Sequence, residues 1–140
     1  MKRNLIFTAV IVSILFASCA TQDHDKEFDA VYQKYIHYLI LDDAQKYTVV
    51  KGDTLSKIAK TAYDKGMYYP VIMLASSHVV KDPDKIYPGA ILMIPNLETN
   101  LKDESARSAI KGVILDCAGI EARRKRNSTA DAMRELANTL

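Results

Sequence analysis

The chain has 140 residues, of which 49% are hydrophobic and 26% are charged, and its formal net charge is +2. That length accommodates one small domain with extensions, and that composition excludes a largely disordered chain. Two basic residues, Lys2 and Arg3, lie in a separate N-terminal segment, and without residues 1–18 the chain has seventeen basic and seventeen acidic residues. The remaining chain is therefore neutral, and its charge gives no indication of a nucleic-acid partner.

Residues 1–18 have the pattern of an export signal. Two basic residues precede a twelve-residue, mostly apolar run from Leu5 to Phe16, and small residues follow it. The run is shorter than the roughly 20 residues that a membrane-spanning helix needs. Its end, "LFASC" at residues 15–19, resembles a bacterial lipobox, which implies cleavage before Cys19 and lipid attachment there. Cleavage a residue or two later, without lipid, is the alternative.

Cysteine usage agrees with lipid attachment. Cys19 and Cys117 are the two cysteines of the chain. If Cys19 carries lipid, Cys117 has no internal disulfide partner, and its place on an apolar helical stripe predicts an inert core residue. A Cys19–Cys117 disulfide is the alternative. At roughly 0.8 kcal/mol for each buried methylene, two or three acyl chains would hold the protein on a membrane.

The next elements are a polar tether at residues 19–26 and an N-terminal helix within residues 27–45. From Glu27 to Leu41, apolar residues recur at spacings of three and four, which predicts one buried stripe on a helix. The stripe consists of Phe28, Val31, Tyr32, Tyr35, Tyr38 and Leu39.

Residues 46–97 are predicted to follow the order strand, helix, helix, strand. Residues 46–50 are β-rich, Gly52-Asp53 indicates a turn, and residues 54–63 have one apolar face. Asp53 or Thr54 is expected to cap that helix, and Gly66 is expected to be its left-handed C-terminal cap.

The second half of this block begins at Tyr69-Pro70, where proline suits the first turn of a helix that runs to about Ser77. A loop at residues 78–85 follows, and Pro88-Gly89 indicates another turn. Residues 90–94 are predicted to form the second strand, which Pro95 stops.

Residues 98–140 are predicted to be a helical extension. A long helix from about Asp103 to Arg126 has an apolar stripe of Ala106, Ile110, Val113, Cys117 and Ile120, and a last helix has Met133, Leu136, Ala137 and Leu140. Ser128, with Asp131 three residues later, fits a cap for the last helix. Gly112 and Gly119 share a helix face, which indicates either a close helix neighbour or simple tolerance.

The central block resembles the lysin motif, LysM. The resemblance rests on "YTVVKGDTLSKIAKTAY" (residues 47–63) followed by "IYPGAILMIP" (residues 86–95), and it covers residues 46–97. It implies an α+β fold, the LysM βααβ module, in which a two-stranded antiparallel sheet has two helices on one side. Two polar positions differ from many members: Ser76-Ser77-His78 replaces an Asn, and Ala90 replaces a Gln. The flanking helices are similar to those of LysM-containing bacterial lipoproteins.

The resemblance implies binding of glycans that contain N-acetylglucosamine, mainly peptidoglycan, in a groove between two loops. By position, the glycan-binding residues are Gly52, Asp53, Thr54, Leu55, Asp84, Lys85, Ile86, Tyr87, Pro88 and Gly89. Loop backbone groups would match the acetamido amide, and Leu55 and Ile86 would shelter its methyl group. Tyr68, Tyr69 and Tyr87 are candidates for stacking on a sugar ring, although tyrosines of this kind are more often half-buried.

The sequence offers no catalytic motif, and neither a metal site nor a cofactor is expected. Asp82 and Asp84 are interpreted as turn residues around Pro83, and the histidines have no ligand spacing. The basic run at residues 123–126 is interpreted as cations at a helix C-terminus, with contact to an anionic glycan, lipid or protein as the alternative.

Two functions remain. The first is a non-catalytic, exported lipoprotein of the bacterial cell envelope, facing the periplasm, that holds peptidoglycan and is anchored to a membrane through Cys19. The second is a protein-interaction scaffold with a degenerate LysM module, in which the helices at residues 27–41 and 103–140 dock an envelope protein partner.

Overall fold

A computed structural model describes residues 22–140 of the protein, with side chains from Lys26 onward. The predicted export signal, Cys19 and the start of the predicted tether lie outside the described residues. The helices are α1 Gln22–Tyr35, α2 Leu55–Tyr63, α3 Tyr69–Ala75, α4 Leu97–Lys102, α5 Glu104–Arg123 and α6 Asn127–Asn138. The strands are β1 Gln45–Thr48 and β2 Ile91–Ile94, and short 3-10 turns occur at Ile36–Tyr38 and Gly66–Tyr68.

β1 and β2 form a two-stranded antiparallel sheet, and α2 and α3 lie between them in the chain. Tyr47 lies opposite Leu92, and Thr48 lies opposite Ile91. Because side chains alternate between the faces of a strand, the fully buried Leu92 points into the core while Ile91 is half exposed. The predicted α+β class and βααβ order are confirmed.

The flanking helices share one hydrophobic core with the βααβ unit. That core joins Val71 and Leu92 of the central block to Phe28 of α1, Ile110 of α5 and Met133 of α6. The predicted stripes of α5 and α6 are buried, apart from Leu140, which is partly buried. The outer helices therefore complete the core instead of forming separate arms.

Gly112 explains how closely α1 and α5 approach each other. A Cβ atom at this position would lie 2.5 Å from Cε1 of Tyr35, a distance that real contacts do not reach. At Gly119, the nearest atom to such a Cβ would be Nη1 of Arg123, at 3.7 Å. The prediction of a close helix neighbour is confirmed for Gly112, and Gly119 has no such contact.

Several boundaries in the first half of the chain differ from the predictions, among them the end of the first helix, which lies at Tyr35 and not at Leu41. α1 begins at Gln22, inside the segment that was predicted to be a tether. The left-handed residue after α2 is Asp64, with φ of 61°, and not Gly66. Aspartate adopts this conformation more readily than most residues. Gly66 instead allows close packing, because a Cβ there would lie 3.0 Å from the Ser56 carbonyl oxygen.

The extension contains one more helix than predicted, and its last cap prediction is wrong. Asn96 caps α4 by accepting a hydrogen bond from the Thr99 amide at 3.1 Å, and Asp103 caps α5 through the Ala106 amide at 2.8 Å. α6 begins at Asn127, so Ser128 lies inside the helix and does not cap it. The S-x-x-D pattern predicted the wrong cap because the chain reverses direction just before it, so that α6 begins one residue before Ser128.

That reversal between α5 and α6 is centred on Lys125, whose φ is 61°. The Arg126 amide donates to the Glu121 carbonyl at 2.9 Å, and the Lys125 amide donates to the Ala122 carbonyl at 3.0 Å. This is the Schellman pattern that ends many helices, but with lysine in the position usually held by glycine.

Replacing Lys125 with glycine is therefore expected to raise the free energy of unfolding by about 1 kcal/mol, because glycine avoids the left-handed penalty of a side chain. Urea denaturation measures the change. Arg123→Gly, two residues earlier in the helical part, is the control and is expected to destabilise by about 1 kcal/mol. Equal destabilisation by both variants would contradict the prediction.

Asn100 ties the segment between α1 and β1 to the extension. Its Oδ1 accepts from the Ile40 amide at 2.8 Å, and its Nδ2 donates to the carbonyls of Ile40 and Asn96, each at 2.9 Å. The residue is fully buried, and these bonds satisfy its polar atoms. The N-terminal helix is thereby held at a fixed position relative to the sheet.

Candidate glycan-binding site

The two predicted glycan loops lie side by side, at the end of the sheet where β1 finishes and β2 begins. The Gly89 amide donates to the Val49 carbonyl at 2.8 Å, and the Val49 amide donates to the Ala90 carbonyl at 2.9 Å. Gly52 and Gly89 have φ of 93° and 91°, and a Cβ on either would meet no atom within 4 Å. These glycines are therefore required by backbone conformation and leave open space beside both loops.

In the first loop, two of the predicted site side chains have internal roles. One carboxylate oxygen of Asp53 accepts hydrogen bonds from the Val50 amide and the Tyr47 hydroxyl, both at 2.9 Å. The bond to Asp53 raises the pKa of Tyr47. Thr54 caps α2 by accepting from the Lys57 amide at 3.2 Å, as expected. The loop is thus held rigid by its own side chains, which leaves backbone groups to meet a ligand.

The second loop is shaped by Asp82 and ends in a turn. Asp82 Oδ1 accepts from the Asp84 amide at 2.9 Å, and the Lys85 amide donates to the Asp82 carbonyl at 3.0 Å. The Ala90 amide then donates to the Tyr87 carbonyl at 3.1 Å. The interpretation of Asp82 as a turn residue agrees with this geometry.

The apolar side chains of the predicted site differ in their accessibility. Leu55 is 2% exposed, so it belongs to the core and its side chain is not available to shelter an acetamido methyl group. Ile86 is half-buried against the core, and Tyr87 is 68% exposed. Tyr68 and Tyr69 are buried, so of the three tyrosines considered for sugar stacking, Tyr87 alone has an accessible ring.

Comparison with known proteins agrees with this arrangement, because residues 47–95 match the family model of the LysM domain. Residues 47–95 form a LysM domain. The LysM match begins within β1 and ends one residue after β2, so it coincides with the βααβ unit. A LysM domain is a binding domain, and both loops described above lie within it.

Two curated relatives share this part of the chain. Potassium binding protein Kbp from Escherichia coli O6:H1 is 50% identical over 52 residues, which are 37% of this chain and 35% of the relative. Esterase Rv1288 from Mycobacterium tuberculosis is 43% identical over 56 residues, which are 40% of this chain and 12% of the relative. The chain therefore spans about a third of the first relative and much less of the second. No solved structure matches the chain.

The extension is joined to the second loop of the LysM domain by arginine–aspartate pairs. Arg124 contacts Asp82 Oδ2 at 3.2 Å and Asp84 Oδ2 at 3.2 Å, and Arg126 contacts Asp84 Oδ2 at 2.8 Å. The Arg124 guanidinium also lies 5.0 Å from the ring centre of Phe28 on α1. Arg124 thus links α1, the extension and the LysM loop.

Asp82 is the buried member of this group, with 5% of its surface exposed. Burial by itself acts to raise its pKa, but the Asp84 amide and the Arg124 guanidinium outweigh that effect and hold the pKa of Asp82 below its ordinary value. The carboxylate is therefore charged and paired at neutral pH.

The three arginines of the basic run at residues 123–126 are accordingly paired within the protein. Arg123 pairs with Glu27 at 2.9 Å, in addition to the contacts of Arg124 and Arg126. Contact of these arginines with an external anionic partner was one alternative, but the aspartates that pair with Arg124 and Arg126 are about forty positions earlier in the chain. Pairs between residues so far apart cannot be predicted from the charges of neighbouring residues.

A buried carboxylate, Glu121, lies beside this junction. It is 2% exposed, accepts a hydrogen bond from the Tyr69 hydroxyl at 2.9 Å, and forms an ion pair with the guanidinium of Arg126. Burial is the main cause that raises the pKa of Tyr69, and the nearby Cys117 and Glu121 raise it further. Burial also raises the pKa of the Cys117 thiol, in keeping with an unreactive core cysteine.

Ser76 is the first residue of Ser76-Ser77-His78, the segment that was noted as differing from the LysM pattern. It is fully buried, and its hydroxyl accepts from the Met93 amide at 2.9 Å and lies 3.4 Å from the Met93 carbonyl oxygen. Ser76 thereby satisfies a backbone group of β2 and ties the end of α3 to that strand.

Between residues 22 and 140, no helix is both long enough and apolar enough to cross a membrane. The same part of the chain has no group of three or more His, Cys, Asp or Glu side chains that could hold a metal ion.

Proposed function

We propose that the protein binds glycans containing N-acetylglucosamine, such as peptidoglycan, through the groove between residues 52–55 and 84–89, without catalysing a reaction. The observation that carries this proposal is the pairing of two glycine turns side by side within a LysM domain. The surrounding contacts fix both loops before any ligand arrives, which lowers the entropic cost of binding.

The chemistry of the groove suits an acetamido sugar. The amide of that group has one donor and one acceptor, which loop carbonyl and amide groups can match, while Ile86 and the exposed ring of Tyr87 provide apolar surface. Each neutral hydrogen bond contributes only about 1 kcal/mol, so a single site binds weakly. Many anchored copies facing one polymer would gain by avidity.

The proposed location is the bacterial cell envelope, with the protein exported and held on a membrane by lipid on Cys19. The support is the sequence pattern of residues 1–19, which lie outside the described residues. A Cys19→Ala form should leave the detergent-rich phase when a Triton X-114 extract is warmed, whereas the unaltered protein should stay in it. Continued partition of Cys19→Ala into detergent would refute the anchor.

The alternative of a protein-interaction scaffold has less support. It relied on helical stripes at residues 27–41 and 103–140 reaching beyond the needs of the core, yet those stripes pack mainly inside the molecule. Tyr38 is the member of the N-terminal stripe that remains strongly exposed, at 55%. The glycan-binding function is therefore the one proposed here.

The central test is co-sedimentation of residues 20–140 with insoluble peptidoglycan. We expect binding at physiological salt, and we expect a Gly52→Ala, Ile86→Ala double variant to bind at least tenfold more weakly, since alanine strains the first loop and the second loop loses apolar surface. A Gln33→Ala, Asn138→Ala variant, altered at exposed positions on α1 and α6, should bind like the unaltered protein. Circular dichroism checks that both variants are folded, and absence of binding by the unaltered protein would refute the proposal.

A further inference from the structure

A recess of about 250 Å³ lies where the extension meets the LysM domain. One wall is the start of α2, from Thr54 to Ser56, and a second is Pro83-Asp84 at the beginning of the second glycan loop. The third wall comes from the extension, through Arg126 and other residues of the α5–α6 corner. Since Thr54 and Asp84 also belong to the two glycan loops, the recess continues the proposed groove.

The third wall of the recess is held firmly in place. Glu121 and Tyr69, both buried, are joined by a 2.9 Å hydrogen bond, and Glu121 is paired with Arg126. Arg126 in turn donates to both carboxylate oxygens of Asp84, at 3.0 and 2.8 Å. The left-handed turn at Lys125 fixes the direction in which the chain leaves this network. The recess is thus formed before a ligand binds.

The chemistry inside the recess favours a neutral, hydroxyl-rich ligand. Ser56 and Thr129 are among its lining residues, and within the described residues neither hydroxyl group has a hydrogen-bond partner. Asp84 offers a carboxylate whose side chain is 56% exposed, and Arg126 is paired with both Asp84 and Glu121, so it has no unpaired positive charge. Sugar hydroxyl groups both donate and accept, so a sugar can pair with hydroxyl groups and a carboxylate alike.

The size of the recess is also informative. Pockets for drug-sized ligands are about 300–1,000 Å³, so 250 Å³ accommodates a group about as large as one sugar ring. A glycan lying across the two loops would place its neighbouring sugar next to Thr54 and Asp84, at the entrance.

We infer that the extension builds a second sugar subsite, in which Ser56, Asp84 and Thr129 bind the sugar next to the one held by the LysM loops. This inference rests on the proposed glycan-binding function. It assigns α5 and α6 a direct part in selecting longer glycan chains, in addition to their part in the core.

The test is a calorimetric titration that measures the affinity of the protein for N-acetylglucosamine oligomers of two to six sugars. For the unaltered protein, affinity should rise with length until groove and recess are both filled. In Thr129→Gln, whose longer side chain occupies the recess, affinity should stop rising one sugar earlier and the longest oligomer should bind roughly tenfold more weakly, the equivalent of one or two lost hydrogen bonds. Thr129→Val, which removes only the hydroxyl, should show a smaller loss in the same direction.

Ser128→Gln is the matched control, because Ser128 is the preceding residue of α6 and is exposed. It should follow the unaltered protein at every length. If Thr129→Gln also matches the unaltered protein while the Gly52→Ala, Ile86→Ala variant is weakened, the subsite is refuted and the proposed function stands. An equal loss at all lengths would mean that Thr129 acts on the whole groove, which also refutes a separate subsite. If the unaltered protein binds neither oligomers nor peptidoglycan, the proposed function fails and the subsite fails with it.

Discussion

Replacing Arg124 with methionine is expected to lower the free energy of unfolding by about 3 kcal/mol, because it leaves the buried carboxylate of Asp82 without its main partner. Only 6% of the Asp82 side chain and 11% of the Arg124 side chain are exposed. Methionine preserves much of the apolar contact with Phe28 but removes both ion pairs and the cation–π contact. Urea denaturation of the unaltered and altered proteins measures the difference.

The neighbouring arginine is the control for this prediction. Arg123→Met removes an ion pair with Glu27, but the Arg123 side chain is 62% exposed. Exposed pairs contribute up to about 1 kcal/mol, so Arg123→Met should have a small effect. If the free energy of unfolding falls equally in the two variants, the pairing of Arg124 with Asp82 is not the cause of the destabilisation.

The pH dependence of the Arg124 effect follows from the same pair. The pKa of Asp82 in the folded protein lies below its ordinary value of 3.8, so its contribution to stability is complete above that pH and is lost as the pH falls through the folded value. The difference in unfolding free energy between the unaltered protein and Arg124→Met should therefore narrow as the pH falls below about 4. A difference that stays constant down to pH 2 would point to lost packing instead of lost charge pairing.

The Arg124 pairs also bear on glycan binding. Asp82 and Asp84 fix the start of the second glycan loop, and the arginines of the extension hold both carboxylates. The flanking helices therefore support the LysM groove from outside the domain. We expect Arg124→Met to weaken peptidoglycan binding even at temperatures where it remains folded, whereas Arg123→Met should not.

Local signals were sufficient to predict the βααβ unit. The turn at Gly52-Asp53 and the cap at Thr54 are encoded within a few residues, and the alternation of β2 and the apolar face of α2 can be read directly from their periods. The predicted loops lie where the LysM resemblance implied, because each loop position is fixed by the strand or helix next to it.

Contacts between distant residues could not be predicted in the same way. The partners Arg124 and Asp82 are 42 positions apart, and Tyr69 and Glu121 are 52 apart. Nothing in the sequence around Glu121 distinguishes it from an ordinary exposed glutamate of a helix. The recess beside the groove depends on these pairings and on the left-handed Lys125, a residue with no local preference for that conformation. The proposed site therefore has one part, the LysM loops, that the sequence predicts, and a second part, the recess, that depends on tertiary packing.

Gly112 combines a local sequence signal with a contact between distant residues. Its replacement by alanine is the other substitution for which we expect a large effect. The seven-residue spacing of Gly112 and Gly119 indicated a close helix neighbour, but the structure shows that Gly112 alone has one, with the Tyr35 ring 2.5 Å from the position of a Cβ. We expect Gly112→Ala to destabilise the protein by about 2 kcal/mol, since α1 must move away from α5 or the ring must leave its place. That movement would also disturb the bond at 2.9 Å between the Tyr35 hydroxyl and Asp116.

Gly119→Ala separates the clash from the general effect of a methyl group on a helix. Its Cβ would meet only the end of the Arg123 side chain at an ordinary distance, so the higher helix propensity of alanine should stabilise the protein by up to about 1 kcal/mol. The two substitutions are chemically identical and lie on one face of α5, yet they should change the free energy of unfolding in opposite directions. Thermal and urea denaturation of both variants provide the comparison, and a change of the same sign in both would show that α1 and α5 do not pack as closely as Gly112 indicates.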